Sequence, residues 1–438
     1  MRHVRIEPAL KESRSGTLLL LATCAFASAA SMRLCDPLLP VLAAEFDVSL
    51  SAAAATTTGF ALAYGATQLF FGPLGDLVGR LPVIVVAMAI AAMASVACAF
   101  APSLEILVGA RIATGAFAAA AIPLSLAWIG DNVAFNERQP VLARYLIGQM
   151  LGMTAGQVGG GVLADLIGWR FAFWSIAVLF SGAALLLYRS MRQAAAQSAA
   201  QSAAGASGAA SGAASGAASG AASGAASNAG AAPGTPAAGG FLRQWRLLLA
   251  DRWALIVIGT VTLEGFLLFG AVALIASYLQ HSFGVSPSVA GTVSALFGLG
   301  GIVYAMNARR LIVGLRAPGL CRIGGGLIAL AMVVLLLQPA WQPAIAAALL
   351  VGLGYYMLHN TLQTQATQLS VQARGAALAW FASGLWLGQG VGVSLAAAAA
   401  ERFGFKVVFA VTAVGLAALG FAFGRVLEAR EARLRGEG

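Results

Sequence analysis

Four charged side chains interrupt stretches of this sequence that are otherwise apolar: Arg33 and Asp36 within 17–40, Arg111 within 104–128, and Glu264 within 252–277. A charge at the middle of a bilayer costs at least about 2.5–3.5 kcal/mol unless it is paired or hydrated, so it is a functional candidate by default. Arg33 and Asp36 stand three residues apart and would share one face of a helix. At about 1.5 Å of rise per residue, Arg33 lies about 24 Å from the N-terminal end of its run and Arg111 about 10 Å from the start of its own. In a core of about 30 Å those depths nearly coincide if the two helices run in opposite directions. A cluster of Arg33, Asp36 and Arg111 is expected, serving as a structural ion pair, a proton site or a site for an anionic substrate. Asp36 is the leading candidate to carry the coupled proton; Glu264, which has no cation within its own run, is the next. His359, in YYMLHNTLQTQ, is the only histidine inside an apolar run. It is either a hydrogen-bonded core residue or a group that titrates near neutral pH. Its neighbours Asn360 and Gln363, with Phe266 and Tyr355, are the candidates to line a substrate cavity; Phe26, Phe269 and Tyr356 are further aromatic residues of the same runs.

The chain that must position these groups has 438 residues, 60% hydrophobic and 10% charged. A soluble domain carries about 25% charged residues. One soluble core cannot hide so much apolar surface, because cores stop growing near about 250–300 residues; lipid is the remaining solvent. The net charge of +10 does not indicate a nucleic-acid partner, since no basic cluster interleaves with aromatic residues on a soluble face. The four cysteines, Cys24, Cys35, Cys98 and Cys321, form no CxxC pair, so neither a metal nor a disulfide is expected. No cofactor motif is present. Arg2, Arg5, Lys11 and Arg14 precede the first apolar run, and AFASAA could pass for a cleavage site, but the run continues to residue 44 and is read as an uncleaved span.

A spanning helix needs about 20 apolar residues. Such runs fall near 17–40, 51–71, 82–101, 104–128, 140–164 and 170–190, then near 252–277, 287–309, 317–338, 341–365, 374–398 and 405–427. The expected fold is an all-α membrane protein, with twelve transmembrane helices in two six-helix pseudo-symmetric bundles. With the N-terminus in the cytoplasm, only Arg170, Arg402 and Lys406 of the 26 Lys and Arg residues fall outside, while Arg33 and Arg111 lie within spans; this is the positive-inside pattern. Residues 1–191 and 241–438 are the expected bundles. Between them 192–240 is rich in Ala, Ser and Gly, with SGAA repeated from Ser207 to Ala226. Glycine every fourth residue opposes helix at about 1 kcal/mol each, so a flexible cytoplasmic linker with a reach of about 35–40 Å is expected. The halves echo each other: LIGQMLG (146–152) matches WLGQGVG (386–392), and ADLIGWRFAF (164–173) answers AERFGFKVVF (400–409). Two parallel six-span repeats are one transporter layout.

GPLGDLVGR (72–80) puts three glycines, a proline and two opposite charges between two apolar runs. Glycine and proline suit a sharp turn. Small residues allow close approach to a neighbouring helix, and Asp76 with Arg80 can lock that contact. This stretch, at Gly72, Leu74, Asp76, Gly79 and Arg80, resembles the loop motif between spans two and three of the major facilitator superfamily, with Leu77 and Leu81 in place of basic residues. Asp36-Pro37 with LLPVLAAEF resembles that family's first span, RIATG (111–115) its fourth-span element, and GMTAGQVGG (152–160) the motif of its twelve-span drug/proton antiporters, with Gln157 where they carry proline. Gly148, Gly152, Gly156 and Gly160 also form a plain close-packing stripe.

The resemblance implies a secondary transporter that works by alternating access, with the loop at Asp76 as conformational switch and spans 1, 4, 7 and 10 lining the cavity. The leading expectation is proton-coupled efflux of a small organic molecule. A proton-coupled uptake symporter of the same fold is the alternative; a non-transporting membrane sensor or membrane enzyme is the reading from another class. No catalytic constellation or phosphate loop is visible, so an ion gradient is the expected energy source and protons the expected co-substrate. The expected setting is a bacterial inner membrane, as a monomer with both termini in the cytoplasm.

Overall fold

The computed structural model describes residues 6–215, 250–369 and 374–436, together with 245, 246 and 248. All regular structure among the described residues is helical. Nine helical segments among them are long and apolar enough to cross a membrane. One of these, Pro287–Leu337, is two helices merged across a break at Arg316 (φ 54°, ψ 173°). Leu50–Val78 and Phe135–Leu166 add two more helices of spanning length, which gives twelve.

We number them in chain order. Helix α1 is Ile6–Arg33, continued by a 3-10 turn at Asp36–Leu38 and a short helix at Leu39–Glu45; α2 is Leu50–Val78 and α3 Arg80–Ala99. Helix α4 is Leu104–Ala118 followed by Ala121–Asn132, α5 is Phe135–Leu166 and α6 Trp169–Ser215. Helix α7 is Arg252–Glu264, a π-helical turn at Gly265–Phe269, and Gly270–Phe283. Residues 287–315 and 317–337 form α8 and α9; α10 is Pro343–Thr367, α11 Arg374–Phe403 and α12 Phe405–Leu434.

Two expectations change. The GPLGDLVGR stretch is not a loop: Gly72–Val78 are the last two turns of α2, with Pro73 inside the helix, and the reversal is made by Gly79 alone at φ 99°. The i→i−4 ladder can absorb one proline when neighbouring helices pack around it. The expected linker begins later than composition suggests, because α6 stays helical to Ser215. Alanine, the best helix former, outweighs the interspersed glycines there. Residues 216–240 of the linker lie outside the described residues.

Helix breaks fall where proline removes a ladder bond. Pro37 lacks the N–H that would reach Arg33, and α1 ends at Arg33. Pro123 stands four residues after Ala119, where α4 breaks. The first six helices meet the last six along two seams, α2 against α11 and α5 against α8, and where the turn after α1 touches α7 and α8. In the first seam Ser383 Oγ donates to the Gly65 carbonyl (2.5 Å). Leu77, Val86, Met93, Val178, Val313 and Val414 lie exposed around the outside, as a lipid-facing surface requires.

Candidate functional site

The first buried centre grows from the break in α1. Arg33 and Asp36 are almost wholly buried and form an ion pair (Nη1 to Oδ2, 3.2 Å). They are not on one continuous helix, since residues 34–35 form a turn between them. From α5, Gln157 Nε2 donates to the same Oδ2 (3.4 Å). The α5 glycine stripe brings Gln157 there. A methyl group on Gly152, Gly156 or Gly160 would collide with the carbonyls of Phe26, Ala30 and Leu34, and one on Gly148 would crowd that of Ala22. Four successive turns of α1 thus lie backbone to backbone on α5. The family resemblance placed a proline at 157; here the position holds an amide that binds the buried carboxylate.

Arg111 does not join that ion pair. Its Nη1 donates to Ser31 Oγ (3.1 Å), its Nη2 to the Ser31 carbonyl (3.0 Å) and its Nε to the Thr56 carbonyl (3.4 Å), with the guanidinium 4.2 Å from the Phe60 ring centroid. The reason is the break in α1: the last carbonyls of a helix lack internal partners, and Ser31 is one of them. Ser28 Oγ returns the contact by donating to the Ala118 carbonyl (3.0 Å), at the break in α4. Arg111 is therefore a cap that ties two broken helices together.

The second centre pairs residues that the sequence offered separately. Glu264 Oε2, wholly buried on α7, lies 2.8 Å from His359 Nδ1 on α10. The imidazole stacks on Tyr355 (4.7 Å, 23°) and leans on Phe381 (5.3 Å). Directly after Glu264 comes the π turn, a feature that often marks a functional site. Thr412 Oγ1 donates to the Leu267 carbonyl within that turn (3.3 Å), and Gly265 leaves room for the Leu385 carbonyl of α11.

An aromatic group joins the centres. The Arg33 guanidinium sits 4.4 Å from the centroid of Phe269, the last residue of the π turn. Phe269 in turn contacts Tyr355 (5.3 Å) and Trp386 (6.2 Å, 20°), and Trp386 packs edge-on to Tyr64 of α2 (5.2 Å). Each centre also keeps buried atoms without a partner among the described residues: Arg33 Nη2 and Asp36 Oδ1 in the first, Glu264 Oε1 in the second.

Of the cavity candidates, Tyr355 lies in this aromatic group. Phe266 and Asn360 are half-buried. Gln363 is exposed, one turn beyond Asn360 on α10. The residues of the GPLGDLVGR stretch stand apart from both centres. Arg80 binds Asp76 (3.3 Å) and, more closely, Asp131 at the end of α4 (2.6 Å). Gly75 lets Leu124 of α4 approach, whereas Gly72 has open space around it. This clamp joins α2, α3 and α4. Sequence reasoning missed Asp131, Tyr64, Trp386 and Phe381; a partner that touches Arg80 in space but lies far along the chain leaves no local signal. All four cysteines are buried and unpaired.

The model of the Major Facilitator Superfamily matches residues 21–372 and 273–437. The uncharacterized transporter YgaY of Escherichia coli O157:H7 is 33% identical over 161 residues, 36% of this chain and 40% of that protein. A chloramphenicol resistance protein of Pseudomonas aeruginosa is 30% identical over 176 residues, 39% of this chain and 42% of that one. The chain therefore aligns with about two-fifths of the length of these relatives. Among solved structures, a bacterial homolog to the human lysosomal transporter Spinster, in an inward-facing and unoccupied conformation, superposes with a TM-score of 0.69 over 94% of this chain and 97% of that one, at 18% identity; at that identity the likeness concerns the fold.

Proposed function

The chain belongs to the Major Facilitator Superfamily, and from that premise we propose that it is a proton-coupled exporter of a small organic molecule, working by alternating access. The observation that carries the coupling is the Glu264–His359 contact at 2.8 Å. A buried carboxylate whose one hydrogen-bond partner among the described residues is an imidazole can exchange a proton without stranding a fixed charge. Asp36, by contrast, is held by the permanent cation Arg33 and by Gln157. When the cavity opens to one side, water reaches the pair from that side alone, and a proton enters or leaves there. Rocking of one six-helix group against the other along the α2–α11 and α5–α8 seams would alternate that access.

Direction is assigned by kinship of name only: one relative is a chloramphenicol resistance protein, which makes chloramphenicol the first compound to try. The positive-inside pattern supports an orientation with both termini in the cytoplasm; a bacterial inner membrane and a monomeric state are part of the same proposal. The test is a screen of labelled compounds in an efflux-deficient host, followed by inverted and right-side-out vesicles under an imposed pH gradient. Accumulation in inverted vesicles that are acidic inside is the expected result. Accumulation in right-side-out vesicles that are acidic outside would make the protein an uptake symporter. Absence of gradient-driven movement in either would remove proton coupling.

A further inference from the structure

Gln389 on α11 is wholly buried, and neither its Oε1 nor its Nε2 has a partner among the described residues. Its direction follows from its neighbours. Gly388 abuts the Thr262 carbonyl of α7 and Gly390 abuts Leu62 of α2, so Gln389 lies between those two helices. Val391, two residues on and therefore near the opposite face, is exposed; Gln389 points inward. Trp386, one turn earlier on the same face, stacks on Phe269, which carries the Arg33 guanidinium. The amide thus sits at the edge of the aromatic group that joins the two buried centres. A buried amide left unpaired costs about 1–3 kcal/mol. Leucine would fill the same space without that cost.

The charged groups near this point already have partners: Arg33 pairs with Asp36, and Glu264 with His359. An ionic ligand would enter a low-dielectric interior without a free counter-charge; an uncharged one needs none. Gln389 alone supplies both kinds of hydrogen bond, a donor at Nε2 and an acceptor at Oε1. The stacked pair of Phe269 and Trp386 supplies the apolar surroundings.

We propose that Gln389 is the specificity-determining residue of a central subsite for uncharged, planar aromatic molecules that carry both a hydrogen-bond donor and an acceptor. This rests on the transport reading above and names the substrate class of that site. A site built to pair with polar groups rejects ligands that leave those groups unpaired or bring an uncompensated charge.

The experiment measures direct binding to the full-length protein in lipid nanodiscs, using a matched set: 2-naphthamide, 2-naphthoate and 2-naphthylmethylammonium. The wild type is expected to bind the amide at least tenfold more tightly than either ion. Gln389→Leu should remove that preference. Gln389→Glu, nearly isosteric, should shift it toward the ammonium probe, which keeps the test open if the leucine variant fails to fold. Stronger binding of either ion by the wild type, no binding of the amide, or unchanged preference in a folded Gln389 variant overturns the proposal. Amide binding that depends on Gln389 without movement of any compound in vesicles would leave the subsite standing and sink the transport reading instead.

Discussion

The two buried centres use the same ingredients differently. On α1, Asp36 is tied to a permanent cation at 3.2 Å and to an amide at 3.4 Å, and the backbone around it is clamped by the glycine face of α5. On α7, Glu264 has one side-chain partner among the described residues, a histidine, and the next five residues form a π turn. The first arrangement resists loss of either partner. The second tolerates a proton and stands beside a helix irregularity that can repack. On the proposed reading, the chemistry of the partner, not depth in the membrane, separates a structural charge from an exchangeable one.

The largest effect is expected at the second centre. Glu264→Gln should lower pH-gradient-driven transport at least a hundredfold, about 2.7 kcal/mol in the coupled step, while energy-independent counterflow survives because it needs no net proton movement. Flux assays in proteoliposomes read both, and undiminished uphill transport would transfer the coupling role to Asp36. At the first centre the effect should appear as stability. Removing one partner of a buried pair costs about 3–5 kcal/mol, so Asp36→Asn should unfold at lower temperature, and adding Arg33→Gln should recover part of the loss. Thermal unfolding of the two single variants and the double variant measures that coupling. A stable Asp36→Asn protein that has lost only gradient drive would reverse the comparison.

A smaller effect is expected from Gly156→Ala. The added methyl meets the Ala30 carbonyl, and overpacking of this kind costs about 1–3 kcal/mol. Because α5 carries Gln157, the variant should weaken the Asp36 centre and leave the pH dependence set by His359 and Glu264 unchanged, as a pH profile of transport would reveal. The smallest effect belongs to the linker. Deleting residues 200–232 should leave transport within about twofold, since a tether contributes reach and few contacts; loss of assembled protein from the membrane would count against this.

Much of this was legible in the chain. Apolar runs of spanning length marked the helices because lipid leaves no other partner for backbone groups than the helix itself. The glycine stripe of α5 was visible as a packing face because its period of four matches one side of a helix. Arg33, Asp36, Arg111, Glu264 and His359 stood out because a charge in an apolar run is expensive. Sequence period and composition carry these facts, since each depends on residues within one helix.

Which of those groups face one another was decided only in three dimensions. The expected trio of Arg33, Asp36 and Arg111 became a pair and a cap, because α1 stops at Arg33 and leaves the Ser31 carbonyl in its last turn for Arg111 to take. Glu264 and His359, 95 positions apart, met because α7 and α10 face each other. Gln157 acquired its role from the α1–α5 contact, and Gln389 its inward aim from the two glycines beside it. The sequence determined the membrane fold and its inventory of buried charges, because each depends on the solvent around a single segment. Partnership was left to the tertiary structure, because it depends on the rotation and depth of whole helices, set by packing over many residues at once.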